Sequence, residues 1–220
     1  MFQPRTTARL FGFFFILTFL SYGFGSGMAQ SVTSADDSLV QIFNHKNQLV
    51  VGVILMAIVH SFLNISLPVL MMPILKPHGQ TLAVGYLSFA VAATVVLIIG
   101  AVLLLMQIPV ADAYQLDSAE ASLLTINKML TQGAYMAYQM GMTLWGVGGV
   151  MMAVLLYRSR LVPRLLPIWG IVGYLVFATG TLMEMFGLPY GVVLALPGGL
   201  FELTLSGWLI IKGFSLRIDQ

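Results

Sequence analysis

A carboxyl, an imidazole and two carboxamides stand inside long apolar stretches of this chain: Glu202, His60, Asn64 and Gln139. Polar side chains at membrane depth are costly unless they are paired or hydrated, so each needs a reason. Glu202 is about twelve residues into the stretch Tyr190–Ile211, behind Pro197-Gly198-Gly199. A proline removes one backbone donor and two glycines loosen a helix, and a broken helix beside a carboxylate is a recurring way to build an ion or substrate site. The competing geometry starts the helix at Gly198, which makes Glu202 an acidic residue near a helix N-terminus and nothing more. His60 is about twelve residues into Leu49–Leu75, with Asn64 one turn on, and Pro68 cannot donate to the Asn64 carbonyl. Gln139 follows Gln132 and Tyr135 at helical spacing in Met129–Tyr157. Two readings follow. His60, Asn64, Gln139 and Glu202 form a polar pocket in which a histidine suits proton exchange. Alternatively, they are interhelical hydrogen bonds worth about 0.6 kcal/mol each.

The elements that must position these groups are six apolar stretches, near residues 10–28, 49–75, 82–106, 129–157, 165–185 and 190–211. The chain is 59% hydrophobic and 8% charged, against about 25% charged in ordinary soluble domains. Spans of about 20 residues use up most of the 220 residues and leave only short connections. The expectation is all-α: one integral membrane bundle of six transmembrane helices in a single domain, residues 1–220. Arg5, Arg9, Lys76, Arg158, Arg160, Arg164, Lys212 and Arg217 fall on one side of the spans, and Lys46 and Lys128 on the other. The positive-inside rule makes the first side cytoplasmic and puts both termini there. Arg158, Arg160 and Arg164 are read as cytoplasmic anchors against lipid headgroups, not as a nucleic-acid surface. The first stretch also has the outline of a signal peptide, with Gly27-Met28-Ala29 as a cleavage site. Its length favours a retained span.

In the connections, Ser34 or Asp36 is expected to cap a short helix lying on the membrane surface. Gln107–Lys128 reads as an outer loop in which Ser118 opens a helix leading into the fourth span. Gly133, Ala137 and Gly141 repeat every fourth residue, a stripe that lets another helix approach closely, within the bundle or in a dimer.

Enzyme signatures are weak. No cysteine is present, and His45, His60 and His78 lack ligand-like spacing, so no metal or other cofactor is expected. Gly146-Val-Gly-Gly149 follows no strand and is no dinucleotide loop.

Two segments carry a family resemblance: Leu155-Leu-Tyr-Arg-Ser-Arg-Leu-Val-Pro-Arg-Leu-Leu-Pro-Ile-Trp-Gly-Ile-Val-Gly and Phe201-Glu-Leu-Thr-Leu-Ser-Gly-Trp-Leu-Ile-Ile-Lys-Gly-Phe. With the six-span layout, the chain resembles the bacterial membrane proteins grouped as domain of unknown function 4386. The resemblance implies a six-helix membrane protein of unassigned activity, with Glu202, Trp208, Lys212 and the Arg160/Pro163/Arg164 turn in the family pattern and no role attached to them. Ala90 and Ala93 stand where such relatives often carry an arginine and a glutamate.

The leading expectation is a non-enzymatic protein of a bacterial inner membrane. It would contact membrane lipids and bind a hydrophobic small molecule, a lipid, a membrane protein partner or a second copy of itself. The runner-up is a small secondary or proton-coupled transporter using Glu202 and His60.

Overall fold

In a bilayer each backbone N–H and C=O must be paired within the protein, so an apolar chain without closed strands has to be helical. The computed structural model describes residues 3–116 and 121–215, and every regular element among them is helical. The α-helices are α1 (Pro4–Thr33), α2 (Ser38–Asn44), α3 (Lys46–Val53), α4 (His60–Leu75), α5 (Gln80–Leu105), α6 (Gln107–Leu116), α7 (Ala121–Ser159), α8 (Leu165–Met185) and α9 (Gly191–Ile211). A π-helical segment, Ile54–Val59, joins α3 to α4, and a 3₁₀ turn, Lys76–His78, joins α4 to α5. Six of the helical stretches are long and apolar enough to cross a membrane: Pro4–Thr33, Lys46–His78, Gln80–Leu116, Ala121–Ser159, Leu165–Met185 and Gly191–Ile211.

Several boundaries differ from the sequence reading. Gly27-Met28-Ala29 lies inside α1. Residues 107–116 are α6 rather than loop, and α7 is helical from Ala121. The reading of Ser118 as a helix start, like Asp117, Glu120, Arg217 and Asp219, lies outside the described residues. At about 1.5 Å per residue, the 39 residues of α7 reach well past a hydrocarbon core of about 30 Å. The short helix α2 starts after Asp37, not Ser34 or Asp36. Its Leu39 and Ile42 are buried in a cluster with Ala111 and Leu123.

The chain divides into two compact units. The first comprises residues up to 18, 63–93 and 139 onward. Its core gathers Phe11, Phe15, Leu67, Met71, Tyr86, Trp145, Met152, Tyr174, Phe201 and Leu205. Glycines set its helix distances. A Cβ on Gly173 of α8 would lie 3.1 Å from backbone atoms of Pro197 and Gly198 in α9, and one on Gly170 would lie 2.5 Å from the Phe201 ring. Beyond α7, Arg160 takes a left-handed conformation (φ 53°) that turns the chain towards α8. The same connection buries Leu161 and Val162. Its Leu161 carbonyl accepts a hydrogen bond from Ser215 N (2.7 Å).

The second unit comprises residues 19–62 and 94–138. Its core includes Ala29, Leu39, Ile42, Leu49, Val53, Met56, Ala101 and Ala111. Gly25 and Gly52 mark a backbone-to-backbone crossing, since a Cβ on Gly52 would lie 2.7 Å from the Gly25 carbonyl oxygen. Two members of the predicted small-residue stripe pack here against α5. A Cβ on Gly133 would meet Leu103 at 3.0 Å, and one on Gly100 would meet Ala137 Cβ at 3.1 Å. Gly141, the third, is buried in the first unit. Lys46 pairs with Asp112, and its ammonium sits 4.4 Å from the Phe43 ring centre.

Candidate functional site

Helix α9 runs unbroken from Gly191 to Ile211 through Pro197, Gly198 and Gly199. The alternative in which a helix starts at Gly198 is therefore incorrect. Proline costs one donor, yet the turns on either side still close, because its fixed φ is itself helical. Glu202 is the twelfth of the 21 residues of α9, near mid-length, and is 7% exposed.

Its carboxyl is held from two other helices. Oε1 accepts hydrogen bonds from the Tyr174 hydroxyl of α8 (2.7 Å) and from Trp145 Nε1 of α7 (3.1 Å). Within α9, Ser206 Oγ donates to the Glu202 carbonyl oxygen (2.7 Å). Tyr174 reaches the carboxyl because Gly149 of α7 leaves room for its ring; a Cβ there would lie 2.4 Å from the ring. Trp145 packs edge-on against Phe15 (6.1 Å between centres) and beside Tyr86 (6.3 Å). Tyr174 is edge-on to Phe201 (5.7 Å). The Tyr86 hydroxyl is buried, has no hydrogen-bond partner and lies within electrostatic reach of Glu202. The result is a buried carboxyl held by aromatic residues of α7 and α8, with Tyr86 of α5 within electrostatic reach and Phe15 and Phe201 packed behind the two donors.

The other candidates fall differently. Asn64 (3% exposed) and Gln139 (5% exposed) are buried in the same unit as Glu202. The backbone carbonyl of Gln139 accepts from Thr143 Oγ1, which also bonds Thr181 Oγ1 at 2.7 Å. Gln132 and Tyr135, expected on the face of Gln139, are exposed. His60 belongs to the second unit, where its ring meets Tyr22 edge-on at 5.2 Å, and Tyr22 stacks on Tyr138 at 5.6 Å. His60 directly follows the π segment, a distortion often found at functional sites. Arg158, Arg160 and Arg164 are exposed, as are Arg5, Arg9, Lys76 and Lys212. The Arg164 guanidinium lies 5.9 Å from the Tyr157 ring centre. Ala90 and Ala93 are fully buried. Glu184 lies at the end of α8, where its Oε1 accepts from Gly191 N at the start of α9 (2.7 Å).

Trp145, Tyr174 and Tyr86 went unnamed in the sequence reading because aromatic residues in an apolar stretch look like core or lipid-facing side chains. One available signal was Gly149, whose missing side chain marks a close approach to α7.

Six apolar helices with a buried, hydrogen-bonded carboxyl on one of them define a multi-pass integral membrane protein of unassigned activity. The chain belongs to the family described as Domain of unknown function (DUF4386), which it matches over residues 10–213. No curated protein and no solved structure matches it.

Proposed function

We propose that the protein is a non-enzymatic component of a bacterial inner membrane, with both termini cytoplasmic. In this reading its first unit binds a small hydrophobic molecule beside Glu202. The observation that carries the reading is the Glu202 carboxyl, buried and bonded by Tyr174 and Trp145. Holding helices together does not require a carboxyl; a neutral side chain would do it without the cost of burying an ionisable group. The orientation rests on Arg5, Arg9, Lys76, Arg158, Arg160, Arg164 and Lys212 at alternate ends of the six membrane-length helices, against Lys46 and Lys128 near the other ends. Lipid, a membrane protein partner or a second copy of the chain are the other occupants such a bundle would accept. Trp145 supplies the test. The neutral fluorophore N-phenyl-1-naphthylamine, titrated into the detergent-solubilised full chain, should show saturable energy transfer that Trp145→Phe reduces. Unsaturable transfer, or transfer indifferent to Trp145→Phe, contradicts the reading.

A second reading, a proton-coupled carrier using Glu202 and His60, is favoured by the position of Glu202 midway along a membrane-length helix behind Pro197-Gly198-Gly199. It predicts proton flux in proteoliposomes after a pH jump that is lost in both Glu202→Gln and His60→Gln. Flux equal to that of empty liposomes contradicts it.

A further inference from the structure

We infer that the molecule bound at Glu202 is a lipophilic organic cation, such as a tertiary or quaternary ammonium, taken up in exchange for the carboxyl proton. The inference rests on the binding reading above and names its ligand class. Its first support is charge. Every described Lys and Arg of the first unit is exposed, and so is His78, its one described histidine. Among the described residues of its own unit, Glu202 therefore has no cationic side chain beside it, which leaves a proton or a bound cation as its counter-charge there. The second support is the lining. A small inorganic cation wants several oxygen ligands. Glu202 is instead bonded by Trp145 and Tyr174 with Tyr86 within electrostatic reach, and Phe15 and Phe201 pack edge-on against the first two of these rings. Aromatic faces favour weakly hydrated organic cations, and a carboxylate among them supplies the charge.

The third support is Tyr86. Trp145 and Tyr174 each have a hydrogen bond to lose if they move, whereas the hydroxyl of Tyr86 is buried with no partner. Its ring can give way to a ligand without breaking a hydrogen bond, and its hydroxyl then has a carboxylate within reach. The exchange balances. The Glu202 O–H bond breaks, the proton leaves to solvent, and the carboxylate and the ammonium form an ion pair with no redox change. Among the described residues, the titratable groups that act on Glu202 are Tyr174 from α8 and Tyr86 from α5; α7 presents Trp145, which has Phe15 of α1 packed against it.

The test uses the full chain in detergent, with tetraphenylphosphonium as the cationic probe and N-phenyl-1-naphthylamine as the neutral one. Wild type should bind tetraphenylphosphonium saturably and release protons into a weakly buffered solution. Glu202→Gln should bind it at least roughly tenfold more weakly, as expected when a desolvated ion partner is removed, and release no protons. The neutral probe should bind both proteins alike, which also shows that the variant is folded. Tyr86→Phe keeps the ring and should bind the phosphonium within about twofold of wild type. Equal phosphonium binding by wild type and Glu202→Gln, or binding without proton release, overturns the cation-exchange inference. If the neutral probe still binds in that case, the underlying binding reading survives; if neither probe binds, both fall.

Discussion

At the scale of single residues, the site depends on an absence as much as on the carboxyl. Gly149 has no side chain, and the Tyr174 ring occupies the space one would take. Gly149→Ala should therefore push Tyr174 off Glu202 and lower stability by about 1–3 kcal/mol, the usual cost of overpacking. Thermal unfolding in detergent measures it, and an unchanged midpoint would contradict the packing described. The depth of Glu202 was legible from its distance along an apolar stretch, because rise per residue converts directly to depth. Its partners were not. Which aromatic side chain meets a carboxyl depends on which helices are neighbours and how they are rotated, and nothing in Trp145 or Tyr174 taken alone carries that information. His60 shows the same limit: its depth matched that of Glu202, yet it belongs to the other unit.

At the scale of elements, close helix crossings are marked by glycines that are not interchangeable with their neighbours. Gly25 and Gly52 let the backbones of α1 and α3 approach, while Gly23 and Gly27 of α1 have no neighbour within 4 Å. Gly52→Ala is expected to destabilise by about 1–3 kcal/mol. Gly27→Ala should be neutral or stabilising by about 0.5–1 kcal/mol, since alanine is the better helix former. Unfolding midpoints for the pair check this, and equal shifts in the same direction would contradict it. Helix existence was legible throughout from apolar length. Distortions were less so. Pro68 and Pro73 sit inside a continuous α4, and the departure from α geometry lies upstream, in Ile54–Val59. Prolines there cost donors without ending the helix, and the apolar run Ile-Leu-Met-Ala-Ile-Val has no residue that announces a π segment. The length of α6 was missed because its polar and acidic residues resemble a loop, although Asp112 is anchored in it by Lys46.

At the scale of the whole molecule, orientation is the property that charge dictates. The chain has no cysteine, so single cysteines can be introduced without background. Ser34→Cys should react with an impermeant thiol reagent in intact cells, and Ser159→Cys, beside Arg158 and Arg160, should react only after the membrane is opened. The reverse pattern would invert the topology. The cooperative unfolding of the intact protein, finally, tests whether Glu202 is held inside the bundle by Tyr174 and Trp145. Glutamine keeps an oxygen to accept both hydrogen bonds, whereas leucine leaves a buried hydroxyl and a buried indole N–H without an acceptor. In a thermal-shift comparison of the detergent-solubilised full chain, Glu202→Gln should stay close to wild type, and Glu202→Leu should lose about 1–3 kcal/mol. Equal and negligible shifts for the two variants would contradict the buried site.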